Sequence, residues 1–142
     1  MSTAAQFLAE QDEGELNCAS PDEVGERLAS VGCKLSADYK RCMETGLAAI
    51  GNTVGILECN SAEIERHDAQ LNTIYSATLA RLNTAQKSML RASERAWIKQ
   101  RDARCDEEAA PEEGGSLAKI IYSECILIET IKRTIWLDSY KP

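Results

Sequence analysis

The residues best able to do covalent chemistry are six cysteines, Cys18, Cys33, Cys42, Cys59, Cys105 and Cys125. A zinc site wants close cysteine pairs or cysteine combined with histidine. Here no two cysteines have CxxC spacing, and the one histidine is His67. A Cys–His nucleophile needs a free thiol, which an even cysteine number argues against. Disulfides, and with them an oxidising compartment, are the better reading. Six cysteines allow fifteen connectivities, and sequence does not choose among them. Chain order suggests Cys18–Cys33, Cys42–Cys59 and Cys105–Cys125, each stapling one helix to the next. Closing a loop of that size contributes about 3 kcal/mol in the chain-entropy model.

Other chemistry is harder to place. Glu63 and His67 stand one helical turn apart, which could hold a metal weakly, but with no second histidine His67 reads as a surface residue. Glycosidase chemistry needs two juxtaposed carboxylates, and no pair stands out among the 23 acidic residues. No catalytic residue, metal or cofactor is therefore assigned. A net charge of −7 argues against a nucleic-acid partner, and it suits either plain solubility or a basic protein partner.

The elements that position these residues read as helical. At 142 residues the chain is one ordinary domain, able to bury a real core. Hydrophobic content is 44% and only 5% of residues are aromatic, which suits helices better than a β-sandwich. Ser20-Pro21-Asp22-Glu23 reads as a helix start. Gly46, Gly51, Asn52 and Gly55 mark a boundary. Asn83 could end one helix or cap the next. Ala109 to Ser116 is the clearest loop, with Pro111 and Gly114-Gly115 before a Ser116 N-cap. Between breaks the apolar spacing is helical: Leu71, Tyr75, Thr78, Leu79 and Leu82; less tidily Leu90, Trp97, Ile98 and Cys105; then Leu117, Ile121, Cys125, Ile128, Ile131 and Ile135. The expectation is an all-α, disulfide-stapled bundle of about five mostly antiparallel helices, roughly at 4–17, 22–45, 53–82, 84–108 and 116–139. A helical hairpin over about 4–45 would precede a core over about 53–139. No apolar run is long enough to cross a membrane. No signal peptide is visible, so the sequence is read as a mature form with an added Met1.

Two polar constellations follow from this layout. Asp68, Asn72 and Tyr75 share one helix face, and Trp97, Arg101 and Cys105 share another. If the two helices are neighbours, Asp68 could pair with Arg101. An internal network fixing helix register is favoured over a recognition surface. Asp102 points elsewhere and could cap a loop or face a partner. The second constellation is the loop. Asp106, Glu107, Glu108, Glu112 and Glu113 flank Gly114-Gly115-Ser116, and a helix C-terminus is a poor place for carboxylates unless something else uses them. Either they are solvated, or they meet a basic partner.

From His67 onward the residues form a recognisable string. Asp68-x-x-Leu71-Asn72-x-x-Tyr75 leads to Arg95-Ala96-Trp97-Ile98-x-x-Arg101-Asp102-x-x-Cys105. Gly114-Gly115-Ser116, Cys125, Thr130, Arg133 and Leu137 follow. The order and spacing resemble the LprI-like lysozyme-inhibitor family, and Cys33, Cys42 and Cys59 upstream resemble its extra-cysteine members. Two departures stand out: His67 where the family often has Trp, and Ser93-Glu94 where it often has Ala-Gln. The resemblance implies an exported helical protein, periplasmic or secreted, that inhibits a lysozyme-type muramidase as a binding protein and not as an enzyme. The other reading is an envelope scaffold, immunity or accessory protein with a different partner.

Overall fold

The computed structural model describes residues 26–142, and every secondary-structure element among them is helical. The order is α1 (Glu26–Ala29), a 3₁₀ turn (Gly32–Lys34), α2 (Ala37–Met43), α3 (Gly46–Ala49), α4 (Thr53–Ala80), α5 (Thr84–Ala109), a second 3₁₀ turn (Ala110–Glu112) and α6 (Ser116–Asp138). The expected helix at 4–17, the Ser20-Pro21 start and Cys18 of the expected Cys18–Cys33 pair lie outside that range.

The three long helices match the breaks in the sequence. Asn52 caps α4 by accepting from Gly55 N–H at 3.1 Å. Asn83 caps α5 in a full capping box: its Oδ1 accepts from Gln86 N–H, and Gln86 Oε1 accepts from Asn83 N–H. Consecutive long helices run antiparallel, as Glu94 against Arg133 and Cys105 against Cys125 show for α5 and α6. The first and third are then parallel. Asn60 near the start of α4 donates to Ser123 near the start of α6 at 2.8 Å, and Thr78 near the end of α4 donates to the Leu137 carbonyl at 3.2 Å. This parallel α4–α6 pair is the spine. Leu127 and Ile131 of α6 join Cys59 of α4 in a core completed by Leu28, Val31, Leu35, Tyr39 and Ala48 from the short elements. A second core sets Leu71 and Ile74 of α4 against Leu90 of α5 and Leu137 of α6. Two disulfides, Cys42–Cys59 and Cys105–Cys125, close loops of 17 and 20 residues, as chain order suggested.

The expected helix over 22–45 is a correction. Within the described residues it is broken twice between Ala29 and Ala37. The reason is a buried acid. Glu63 on α4 has no exposed side-chain surface. Its two oxygens accept from Ser36 N–H and Ser36 Oγ–H, each at 2.7 Å, and from Arg66 Nε at 2.7 Å, while His67 Nε2 lies 3.0 Å away. Ser36 can serve Glu63 only in extended backbone, so the helix ends before it, and its Oγ then caps α2 by accepting from Tyr39 N–H. His67 is thereby buried and is not the surface residue expected. A second departure is the one-turn α3, which lies inside the expected boundary at 46–52.

Gly55 lies in the first turn of α4, where a Cβ would sit 2.6 Å from the backbone nitrogen of Ala48 and 2.8 Å from Cβ of Leu47. The glycine lets the backbone of α3 lie directly on α4. In an open helix Gly→Ala would be stabilising. Here the backbone clash reverses the sign, and Gly55→Ala is expected to cost about 1–3 kcal/mol in urea denaturation.

Glu63 also makes stability depend on pH. Burial opposes its ionisation, but the hydrogen bonds from His67, Ser36 and Arg66 prevail and bring its pKa from 4.5 down to about 2. A depressed carboxylate stabilises the fold fully above its unfolded pKa and loses that contribution as pH falls from about 4.5 toward 2. The stake is about 3 kcal/mol. Denaturation midpoints should fall across this window in the native chain, and Glu63→Gln should be less stable at pH 7 with a flatter acid limb.

Candidate functional site

The family-type residues converge on the outer seam between α5 and α6. Arg133 of α6 reaches across to α5. Its Nε donates to Glu94 Oε1 at 2.8 Å and its Nη2 to Ser93 Oγ at 3.0 Å. The side chains of Arg133 and Glu94 are each only 10% exposed, so this is a largely desolvated ion pair. The same guanidinium lies 3.9 Å from the Trp136 ring centroid and 5.5 Å from that of Trp97. Arg101 lies 5.1 Å from the Trp97 centroid, so two cations flank one indole. Arg101 also donates to Asp102 Oδ1 at 3.1 Å and, at 3.5 Å, to Thr130 Oγ1. Tyr75 of α4 packs at the edge of the second core. Burial raises its pKa first and the Glu94 carboxylate second, while Arg91, Arg95 and Arg133 pull the other way. Tyr140 stacks obliquely on Trp136, centroids 5.1 Å apart.

Trp97, Arg101, Asp102, Thr130, Arg133 and Tyr75 are thus brought near one another. Asp68 and Asn72 are not: both are exposed on α4, and among the described residues Asp68 makes no ion pair with Arg101, whose carboxylate partner is Asp102. The internal arrangement runs through Arg133 instead. Its acceptors, Ser93 and Glu94, are the second of the two departures from the resembled pattern. Trp136 went unrecognised, because it lies outside the quoted string and off the apolar stripe.

The acidic segment is organised differently from a free loop. Asp106, Glu107 and Glu108 belong to the last turns of α5, Pro111 and Glu112 to the 3₁₀ turn, and only 113–115 are irregular. The N-cap of α6 is Gly115, and Ser116 is the first helical residue, exposed and without the expected cap. Gly114 adopts φ +90°, a backbone open to glycine at little cost. Asp106, Ala109, Ala110, Glu113, Gly114, Gly115, Ser116, Ala118 and Lys119 line an open surface cleft of about 670 Å³. Its neck is clamped by Cys105–Cys125, both nearly inaccessible. Asp106, Glu107, Glu108, Glu112 and Glu113 are all exposed. Glu108 is 3.6 Å from Arg27, which also donates to Glu124 of α6 at 3.4 Å. Burial raises the Glu124 pKa, Arg27 lowers it and Glu108 raises it again, as an acid sharing one cation with a neighbour should behave. Among the described residues no three His, Cys, Asp or Glu side chains converge as a metal site.

Comparison with known proteins fits this layout. The family model described as lysozyme inhibitor LprI matches residues 42–137, from the first clamped cysteine of α2 to the last buried leucine of α6. The chain belongs to the LprI lysozyme-inhibitor family. An uncharacterized protein of Rhizobium meliloti (strain 1021) is 28% identical over 89 residues, covering 54% of this chain and 64% of the relative. No solved structure matches.

Removing Arg133 would leave the buried Glu94 carboxyl group without its cation. Arg133→Ala should cost about 3 kcal/mol in chemical denaturation, while Lys132→Ala, on the exposed side of α6, should cost little. Trp97 and Trp136 are the two tryptophans of the chain and both lie over Arg133, so the Arg133 variant should also shift tryptophan emission.

Proposed function

We propose that this chain is an exported binding protein that blocks a lysozyme-type muramidase by stoichiometric steric occlusion, without catalysis of its own. Family membership across residues 42–137 supports the activity class. The observation that carries the mechanism is the acid-rimmed cleft at the junction of α5 and α6, with Asp106 and Glu113 in its lining and Glu107, Glu108 and Glu112 beside it. A basic muramidase would be steered to this end by charge. The exposed Gly114-Gly115-Ser116 turn, small and clamped at its neck, would then close the substrate groove, whose catalytic carboxylates need access to the sugar chain. On this reading the Arg133–Trp97 seam is scaffold: it fixes α5 on α6 and so fixes the rim.

Periplasmic or secreted location is part of the same proposal. It is supported by the disulfides and by the family, and among the described residues no helix is long and apolar enough to cross a membrane.

The test is lysis of a cell-wall suspension by chicken-type and goose-type lysozymes with increasing oxidised protein. Suppression should saturate near one protein per enzyme. Changing Glu107, Glu108, Glu112 and Glu113 together to Lys should weaken it at least about tenfold, chiefly through slower association at low salt. Unchanged inhibition by that variant would rule out docking through the acidic end, and no inhibition of either enzyme at large excess would point to another partner.

A further inference from the structure

One flank of α5 carries a charge pattern of which the inhibitor reading uses only Asp106. At 100° per residue, Arg91, Arg95, Ile98, Asp102 and Asp106 fall on one ridge, spaced by 4, 3, 4 and 4 residues. Arg91 and Arg95 are exposed and form no ion pair among the described residues. The ridge is basic toward the start of the helix and acidic toward its end. Lys87 lies along its flank and strengthens the basic half. Ile98, at its centre, is 41% exposed although large and apolar. In an acidic chain, cations gathered without carboxylate partners call for an explanation.

We propose that this ridge is a self-complementary surface on which two copies of the chain pair through antiparallel α5 helices. A two-fold axis passing between Ile98 and Lys99 places Arg95 opposite Asp102 of the second copy and Arg91 opposite its Asp106. Both pairs are equidistant from the axis, and symmetry makes each of them twice. The two Ile98 side chains meet near the axis and shed water there. An interface of this kind is isologous and closes on itself, so it yields a dimer and not a filament. Asp102 can take part while bound to Arg101, because a carboxylate has two oxygens and Arg101 uses one. A polyanion would satisfy the basic half of the ridge but would be repelled by Asp102 and Asp106, so charge complementarity selects a second copy.

The pairing is weak and salt-dependent, since its ion pairs are at the surface and the screening length falls from ~10 Å at 0.1 M salt to ~3 Å at 1 M. The experiment is sedimentation of the whole oxidised chain across a concentration series at low and high salt. The native chain should show a concentration-dependent dimer at low salt that disappears in about 1 M NaCl. Two charge-reversal variants sharpen the test: R91E/R95E, at exposed positions, makes the ridge wholly acidic, and D102K/D106K, whose Asp102 is half-exposed and paired with Arg101, makes it wholly basic. Each alone should stay monomeric at low salt, and an equimolar mixture should form a one-to-one heterodimer. A native chain that remains monomeric at every concentration at low salt overturns the proposal, as does a mixture that fails to associate although both variants keep the native melting curve. Lysozyme inhibition enters none of these readouts, so the pairing and the inhibitor reading succeed or fail separately.

Discussion

A carboxylate with no exposed surface needs donors at both oxygens, and meeting that need at Glu63 organises one half of the molecule. Its donors come from its own helix one turn on, in Arg66, and from Ser36, 27 residues earlier. Tying Ser36 to α4 breaks the preceding helix, starts α2 and lays Leu28, Val31, Leu35 and Tyr39 over the parallel α4–α6 spine. Tyr39 then reaches Asn60, which reaches Ser123 on α6, so a chain of hydrogen bonds crosses three elements inside the core. Burial, with Glu124 and Glu63 adding to it, holds the Tyr39 hydroxyl in its neutral form far beyond ordinary pH. Polar groups in such a core are costly unless matched, and here they fix which surfaces meet.

Arg133 plays the corresponding part in the other half. It lies against both tryptophans while bound to a buried acid, so its position sets the angle at which α5 meets α6. That angle carries through the Cys105–Cys125 bridge to the rim of the cleft. Asp106 belongs both to the cleft lining and to the outward ridge of α5, so a docked muramidase and a second copy of the chain would compete for it.

The long helices were legible because local chemistry and tertiary packing agree there: Asn52 and Asn83 cap, glycine and proline interrupt, and apolar residues recur at helical spacing. The segment around Ser36 was not legible, since its local pattern is helical and the group that overrides it lies far along the chain. His67 was misplaced for a related reason. A lone histidine beside a glutamate looks solvated until the glutamate is known to be buried. Pattern periodicity also could not tell that Ile98 and Leu117 stay exposed while other members of their stripes go inside. At the site, the motif residues were legible as a group, but their partners were not. Asp68 seemed the natural mate for Arg101, whereas the structure uses Asp102 beside it, and nothing in the spacing tied Arg133 to Ser93 and Glu94 on another helix.

The parallel pairing of α4 and α6 has a consequence for the order in which the chain can assemble. Leu127 and Ile131 complete one core and Leu137 another, so neither of the two cores on α4 is closed until α6 is in place. Without α6 the short elements tied on by Ser36–Glu63 and Cys42–Cys59 cover only one side of α4, and Leu71 and Ile74 lack the Leu137 side of their core. Both cores therefore close in one packing step, the docking of α6. The Cys105–Cys125 bridge, joining the last two long helices, locks that packing in place.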